Sequence, residues 1–204
     1  MVLNFSELTL RQAMRLVPAE DLLRWEIDAP PRPPSEILTA NLTRLEVFDL
    51  TNSEAAKILL IDVLFAEIVP HHAPLKIWKS EPLESDVLVG IADYLIAPKR
   101  AYAATPLLCV AEAKRDDFVQ GRAQCIAEMV ACRWNNTRDG LEIAVYGIVS
   151  NGNDWQFYKL TPTSEVHETT MYSLRSLPEL RGIVDYICAE CAKTYLDVSA
   201  RISL

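Results

Sequence analysis

Asp93, Glu112 and Lys114 are the residues whose types and spacing could do chemistry, because each charge sits in text that is otherwise apolar. Asp93 lies between Ala92 and Tyr94 and is followed by Leu95 and Ile96; Glu112 and Lys114 end the run LLCVAEAK. A charge inside a strand is costly unless it is paired or bound to a metal. Period-two alternation places Leu108, Val110, Glu112 and Lys114 on one side of a strand and Leu107, Cys109, Ala111 and Ala113 on the other. A carboxylate and an ammonium therefore stand side by side at the end of an apolar element. If the strands carrying Asp93 and Glu112 are neighbours, the two carboxylates can hold one divalent cation. Lys114 would then hold or help deprotonate a water and offset anionic charge. That is phosphodiester-cleaving chemistry in outline. A purely structural buried Asp–Lys or Glu–Lys pair satisfies the same spacing.

The surrounding text adds a resemblance. Asp93, then 18 residues, then Glu112-Ala113-Lys114 resembles the D…(D/E)-x-K signature of the PD-(D/E)XK nuclease superfamily, the restriction-endonuclease-like fold. The segments GIADYLIA, PLLCVAEAKR, GRAQCIAEM and VYGIVSNGNDWQFYKL are similar to the nuclease domain of type I restriction enzyme motor subunits and to small stand-alone relatives. The likeness covers roughly residues 52 to 160 and rests on element order: a capped helix, a G-x-x-D-Y strand, E-x-K, a glutamine-bearing helix and an S-N-G-x-x-W strand pair. It implies an α/β protein with a restriction-endonuclease-like core, a central mixed β-sheet flanked by helices. It further implies Asp93, Glu112 and Glu54 as ligands of Mg2+, with Mn2+ as the substitute, Lys114 as the motif lysine and Gln124 as a helix residue lining the site. Ala92 stands where the family usually has proline. Glu54 also completes a capping box with Thr51, and Asp62 or Glu67 on the same helix are alternative reaching carboxylates.

The resulting expectation is a metal-dependent nuclease acting on DNA, with RNA not distinguished. The alternative is a catalytically silent relative with the same fold that serves as a nucleic-acid or protein binding component. Lys99, Arg100, Arg115 and Arg122 flank the acidic centre in sequence and are candidate phosphate contacts. With Lys114 they give five basic residues between 93 and 125 against four acidic ones, whereas the whole chain carries a formal charge of -8. That overall acidity argues against a surface built wholly for nucleic acid. Tyr94, Trp134 and Trp155 would either stack on bases or belong to the core. No G-x-x-x-x-G-K-[ST] element occurs, so a protein partner would supply target recognition, or the chain would act with little sequence recognition or as an oligomer; cleavage of both DNA strands would favour a homodimer with paired sites. An enzyme built on Cys188 or His167 lacks any local partner spacing.

The elements that must position these residues are partly legible. At 204 residues and 50% apolar composition, a single domain spanning 1–204 is expected, with the nuclease-like core at about 52–160. An N-terminal extension over 1–50 would precede it and a C-terminal helix over about 177–197 would close it. Helices are expected at about 6–17, 53–69 and 117–133, and strands at 86–97, at 107–114 and on either side of the Asn151-Gly152-Asn153 turn. The segment 36–50 fits either a strand or a short helix. His71-His72 reads as a turn. No run approaches the length of a membrane span and the start has no signal-peptide pattern, so a cytoplasmic protein without membrane contact is expected. The odd number of cysteines, and the lack of a second pair for Cys188-Ala-Glu-Cys191, favour buried thiols over a metal site.

Overall fold

Strands rich in β-branched and aromatic residues form the central sheet. The computed structural model describes residues 2–50, 54–114 and 117–202, without the side chains of 54–56 and 202. The chain opens with β1 (Leu3–Asn4), a tight turn at Phe5–Glu7 and α1 (Leu10–Arg15). It continues through β2 (Leu22–Arg24), α2 (Glu36–Leu45), α3 (Glu54–Ile68), β3 (Leu75–Glu84), β4 (Leu88–Pro98) and β5 (Cys109–Ala113). Then come α4 (Phe118–Arg138), β6 (Val145–Ser150), β7 (Asp154–Leu160), β8 (Val166–Glu168), β9 (Tyr172–Ser173) and α5 (Leu177–Ile202).

The described strands make one mixed sheet in the order β1-β4-β5-β6-β7-β8-β2, with β3 also paired to β4 and β9 to β7. This is a mixed α/β fold with a central sheet flanked by helices. The helices α3, α4 and α5 pack on the sheet, with α1 lying on α4 and α2 on α3. On one face, α4 and the N-terminal segment cover Val110, Val149 and Tyr158; on the other, α3 and α5 cover Ala111, Ile148 and Phe157. Gly147 lets α4 sit close, since a Cβ there would lie 2.5 Å from Cys125 Sγ and 2.7 Å from Met129 Sδ. The N-terminal segment is thus part of the sheet and of its cover, and α5 part of the second layer.

Local chemistry explains where the elements depart from expectation. Thr9 and Gln12 form a capping box, so α1 starts at Leu10, after Ser6 has entered the preceding turn. Ser35 Oγ accepts from Leu38 N–H at 3.0 Å and settles 36–45 as a helix. The Thr51–Glu54 capping box expected for α3 lies outside the described residues. β3 was not expected; its lysines, Ser80 and Pro82 disguise a strand that β4 orders by antiparallel pairing while most of its side chains stay partly or fully exposed.

α4 runs past Asn135-Asn136 to Arg138 because Asn136, fully buried, has a tertiary task. Its Oδ1 accepts from Leu107 N–H and its Nδ2 donates to Leu107 O, both at 2.8 Å. That clamp occupies the backbone of Leu107, so β5 begins only at Cys109. Asn136→Ala would orphan two buried backbone groups, and urea denaturation is expected to show a loss of about 3 kcal/mol. A loss within error of a surface substitution would mean that water replaces the clamp. Among the described residues, no helix is long and apolar enough to cross a membrane.

Candidate functional site

The site lies at a fork in the sheet. β4 pairs with β5 antiparallel through Ile96–Cys109, Leu95–Val110 and Tyr94–Ala111. One step further on that register would set Asp93 opposite Glu112, and there the ladder stops. In its place the Asp93 side chain accepts the Ala113 N–H, at 2.9 Å from Oδ2. Pairing to β3 is interrupted at the same level: Lys79–Tyr94 and Glu81–Ala92 are partners, while Ser80 between them has φ 51. A non-glycine residue in that region marks local strain. Beyond the fork, β1 takes up β4 again at Leu88 and Val89, and Phe5 lies against Gly90, where a Cβ would come within 2.3 Å of its ring.

Alternation on β5 turns Val110 and Glu112 toward α4 and Ala111 and Ala113 toward the other layer. Glu112 is only 2% exposed. Lys114 Nζ lies 2.5 Å from Glu112 Oε1 and donates to Gln124 Oε1 at 3.0 Å. Gln124 Nε2 in turn donates to Glu128 Oε1 at 3.1 Å, and Glu128 is completely buried. Burial first, and then the neighbouring Asp93 charge, push the Glu112 carboxyl up to about 7, against the pull of Lys114. Burial and the Glu112 charge hold Glu128 well above the usual carboxylate range. Among the described residues, no donor reaches Glu112 Oε2 or Glu128 Oε2, and the closeness of the two carboxyl groups favours a proton held on Glu128.

The backbone of Lys114 is fixed from the β6–β7 turn, where its N–H donates to Ser150 O at 2.9 Å. That turn is tightly made. Ser150 Oγ accepts from Gly152 N–H at 2.8 Å, and Asn151 Oδ1 accepts from Asn153 and Asp154 N–H at 3.0 and 2.8 Å. Gly152 has φ 86, and a Cβ there would lie 2.9 Å from Lys57 O. Buried Trp155 closes the turn by donating to Gly152 O at 3.0 Å.

Asp93, Glu112, Lys114 and Gln124 are therefore brought together. Glu54 heads α3 on the opposite layer, and its side chain lies outside the described residues. The alternative carboxylates on α3 are engaged elsewhere. Asp62 pairs with Lys79 at 2.8 Å and accepts from the Tyr94 hydroxyl at 2.9 Å, while Glu67 pairs with Arg181 at 3.1 Å and accepts from Ser35 at 2.9 Å.

The basic residues near the motif in sequence do not gather around it. Lys99 and Arg100 follow the far end of β4, about 20 Å of extended chain beyond Asp93. Lys99 there lines an apolar hollow of about 490 Å³ with Phe65, Val69 and Ile77. Arg122, about 200° around α4 from Gln124, points instead to Glu168 on β8, at 3.4 Å. Arg115 lies outside the described residues. Tyr94 and Trp155 are core residues, and Trp134 carries the Arg138 guanidinium over its ring at 4.7 Å. His72 ends the expected turn and meets Asp185 at 3.1 Å. All five cysteines are buried free thiols, and burial pushes Cys188 up to about 12.

Glu128 was missed by sequence reasoning. The available signal was its place one helical turn after Gln124, inside the apolar run of Cys125, Ile126, Met129 and Cys132.

Among the described residues, no three of His, Cys, Asp and Glu converge as a metal-binding group. The carboxylates at the fork that could hold a cation are Asp93 and Glu112, close enough for the charge of one to raise the other. No protein-family model matches the sequence, and no curated protein matches it.

Proposed function

We propose that this protein is a metal-dependent nuclease that hydrolyses DNA phosphodiester bonds at the fork between β4 and β5, on a restriction-endonuclease-like core. The observation that carries the reading is the meeting of Asp93, Glu112 and Lys114 at one strand end, where burial and then the Asp93 charge raise Glu112 despite the adjacent ammonium. Charges in apolar strand text are costly unless paired or bound to a metal, and a pair of carboxylates with a shifted acidity beside an ammonium is the pattern such catalytic sites use.

Asp93 and Glu112 would hold Mg2+ or Mn2+, with Glu54 as a third candidate ligand. When bound, the cation polarises the phosphoryl group and lowers the pKa of its water. The chain supplies the rest. Glu112 offers a full negative charge once its proton is lost. Lys114 offsets charge on the phosphate and holds or helps deprotonate a water through Nζ. Gln124 accepts from Lys114 and limits where that ammonium can point. Lys99, Arg100 and Arg122 lie away from the fork, and in this reading a partner or a second copy would supply target choice.

The test is cleavage of plasmid and single-stranded DNA with Mg2+ or Mn2+ by wild type and Lys114→Ala. Metal-dependent cutting that falls at least about 100-fold in the variant is the expected result. Robust cutting unchanged by the substitution would remove Lys114 from the mechanism. No cutting by wild type on any substrate would instead favour the silent binding component.

A further inference from the structure

We infer that Glu128 is a positioning residue that holds Lys114 at the fork through the Gln124 side chain, a role that rests on the nuclease reading above. Lys114 has only donors to offer, so the half of the Gln124 amide that faces it must be the oxygen. The amino half then points away, into the space between α4 and the sheet, where it needs an acceptor. Glu128 Oε1, one turn along the same helix, accepts it at 3.1 Å. Reversing the amide would set its amino group against the ammonium and its oxygen against a carboxyl oxygen. Glu128 thus makes one of the two amide orientations the favourable one, and with it the place of the lysine.

Packing alone does not account for a carboxyl group here. Glu128 is 0% exposed, with Cys125, Met129 and Cys132 buried beside it on α4, and an apolar side chain of similar size would fill the same volume without desolvating a polar group. What the apolar replacement lacks is the acceptor.

The experiment uses the full chain as wild type, Glu128→Met and Glu128→Gln. Metal-free protein is pulsed with an amine-reactive acylating reagent, and modification of Lys114 is followed by peptide mass spectrometry. Glu128→Met is expected to speed labelling of Lys114 on the order of tenfold, the effect of losing one hydrogen bond in a chain that ends on a charge. Glu128→Gln, whose oxygen still accepts from Gln124, is expected to label as wild type does. In cleavage assays the Met variant should lose about 10- to 100-fold in kcat with KM little changed, and the Gln variant should recover most of it. Labelling of the Met variant at the wild-type rate, or of the Gln variant at the Met rate, would overturn the proposal. If the Met variant does not fold, hydrogen exchange of the Gln124 side-chain amide in wild type decides: slow exchange supports the Glu128 contact and fast exchange overturns it. Absence of cleavage by wild type would count against the nuclease reading alone, because the labelling comparison needs no activity.

Discussion

At pH 8 the Glu112→Gln protein is expected to be more stable than wild type, by up to about 3 kcal/mol, and to be indifferent to Mg2+. The sign follows from the direction of the shift. Glu112 is raised from 4.5 to about 7 in the folded protein, so the folded state binds its proton more tightly than the unfolded chain does. Below the unfolded value both states are protonated and the carboxyl costs nothing. As pH rises from about 4.5 to 7, the unfolded chain ionises first, and wild type loses stability across that window. Above it, wild type carries a buried charge beside Asp93, whereas glutamine mimics the neutral acid at every pH. Urea denaturation at a series of pH values measures the gap, and parallel profiles for the two proteins would show that Glu112 is not the group responsible. Added Mg2+ should raise the wild-type midpoint at pH 8 by mass action and leave Glu112→Gln unmoved. That arm needs no nucleic acid, so it probes the cation site separately from cleavage.

The second large effect is expected at Trp155. Trp155→Ala should cost about 4 kcal/mol in urea denaturation, because the indole is completely buried between Phe65 and Phe157, with ring centroids 6.1 and 6.5 Å away. It should also reach the site. Trp155 holds Gly152 O, Gly152 N–H is tied to Ser150 Oγ, and Ser150 O holds the backbone of Lys114. Trp155→Phe keeps a ring but loses the indole donor and the volume of the fused five-membered ring, so its cost should fall to about 2 kcal/mol. Equal losses for both substitutions would assign the whole effect to the hydrogen bond rather than to packing.

Strand chemistry was the readable part of this site. Alternation on LLCVAEAK fixes which face Glu112 shares with Val110, and that face is the one α4 covers. Asp93 was legible for the same reason, as a charge in text that admits none. Gln124 came only from the resemblance, since a glutamine in a helix bearing Arg122 and Arg133 has no intrinsic mark of burial. Glu128 shows the limit more sharply: helical glutamates are ordinarily solvated, and only the residues around it would have suggested otherwise. Lys99 and Arg100 show the converse. Nearness in sequence along an extended strand is distance in space, so Lys99 and Arg100 do not share a surface with Lys114.

β3 escaped because half of its evidence belongs to β4. Its own text holds two lysines, a serine with positive φ and a proline, and only pairing to an eleven-residue strand makes it regular. The end of α4 was misjudged for a related reason. Asn135-Asn136 has the local text of a break, and the Leu107 clamp overrides it.

The rung that Asp93 supplies to Ala113 gives this strand junction a property that a carbonyl rung would not: it carries a charge. The group that closes β5 onto β4 is also the one whose charge, after burial, raises Glu112 most, so the pairing of two strands and the acidity of a buried glutamate are tied to a single side chain.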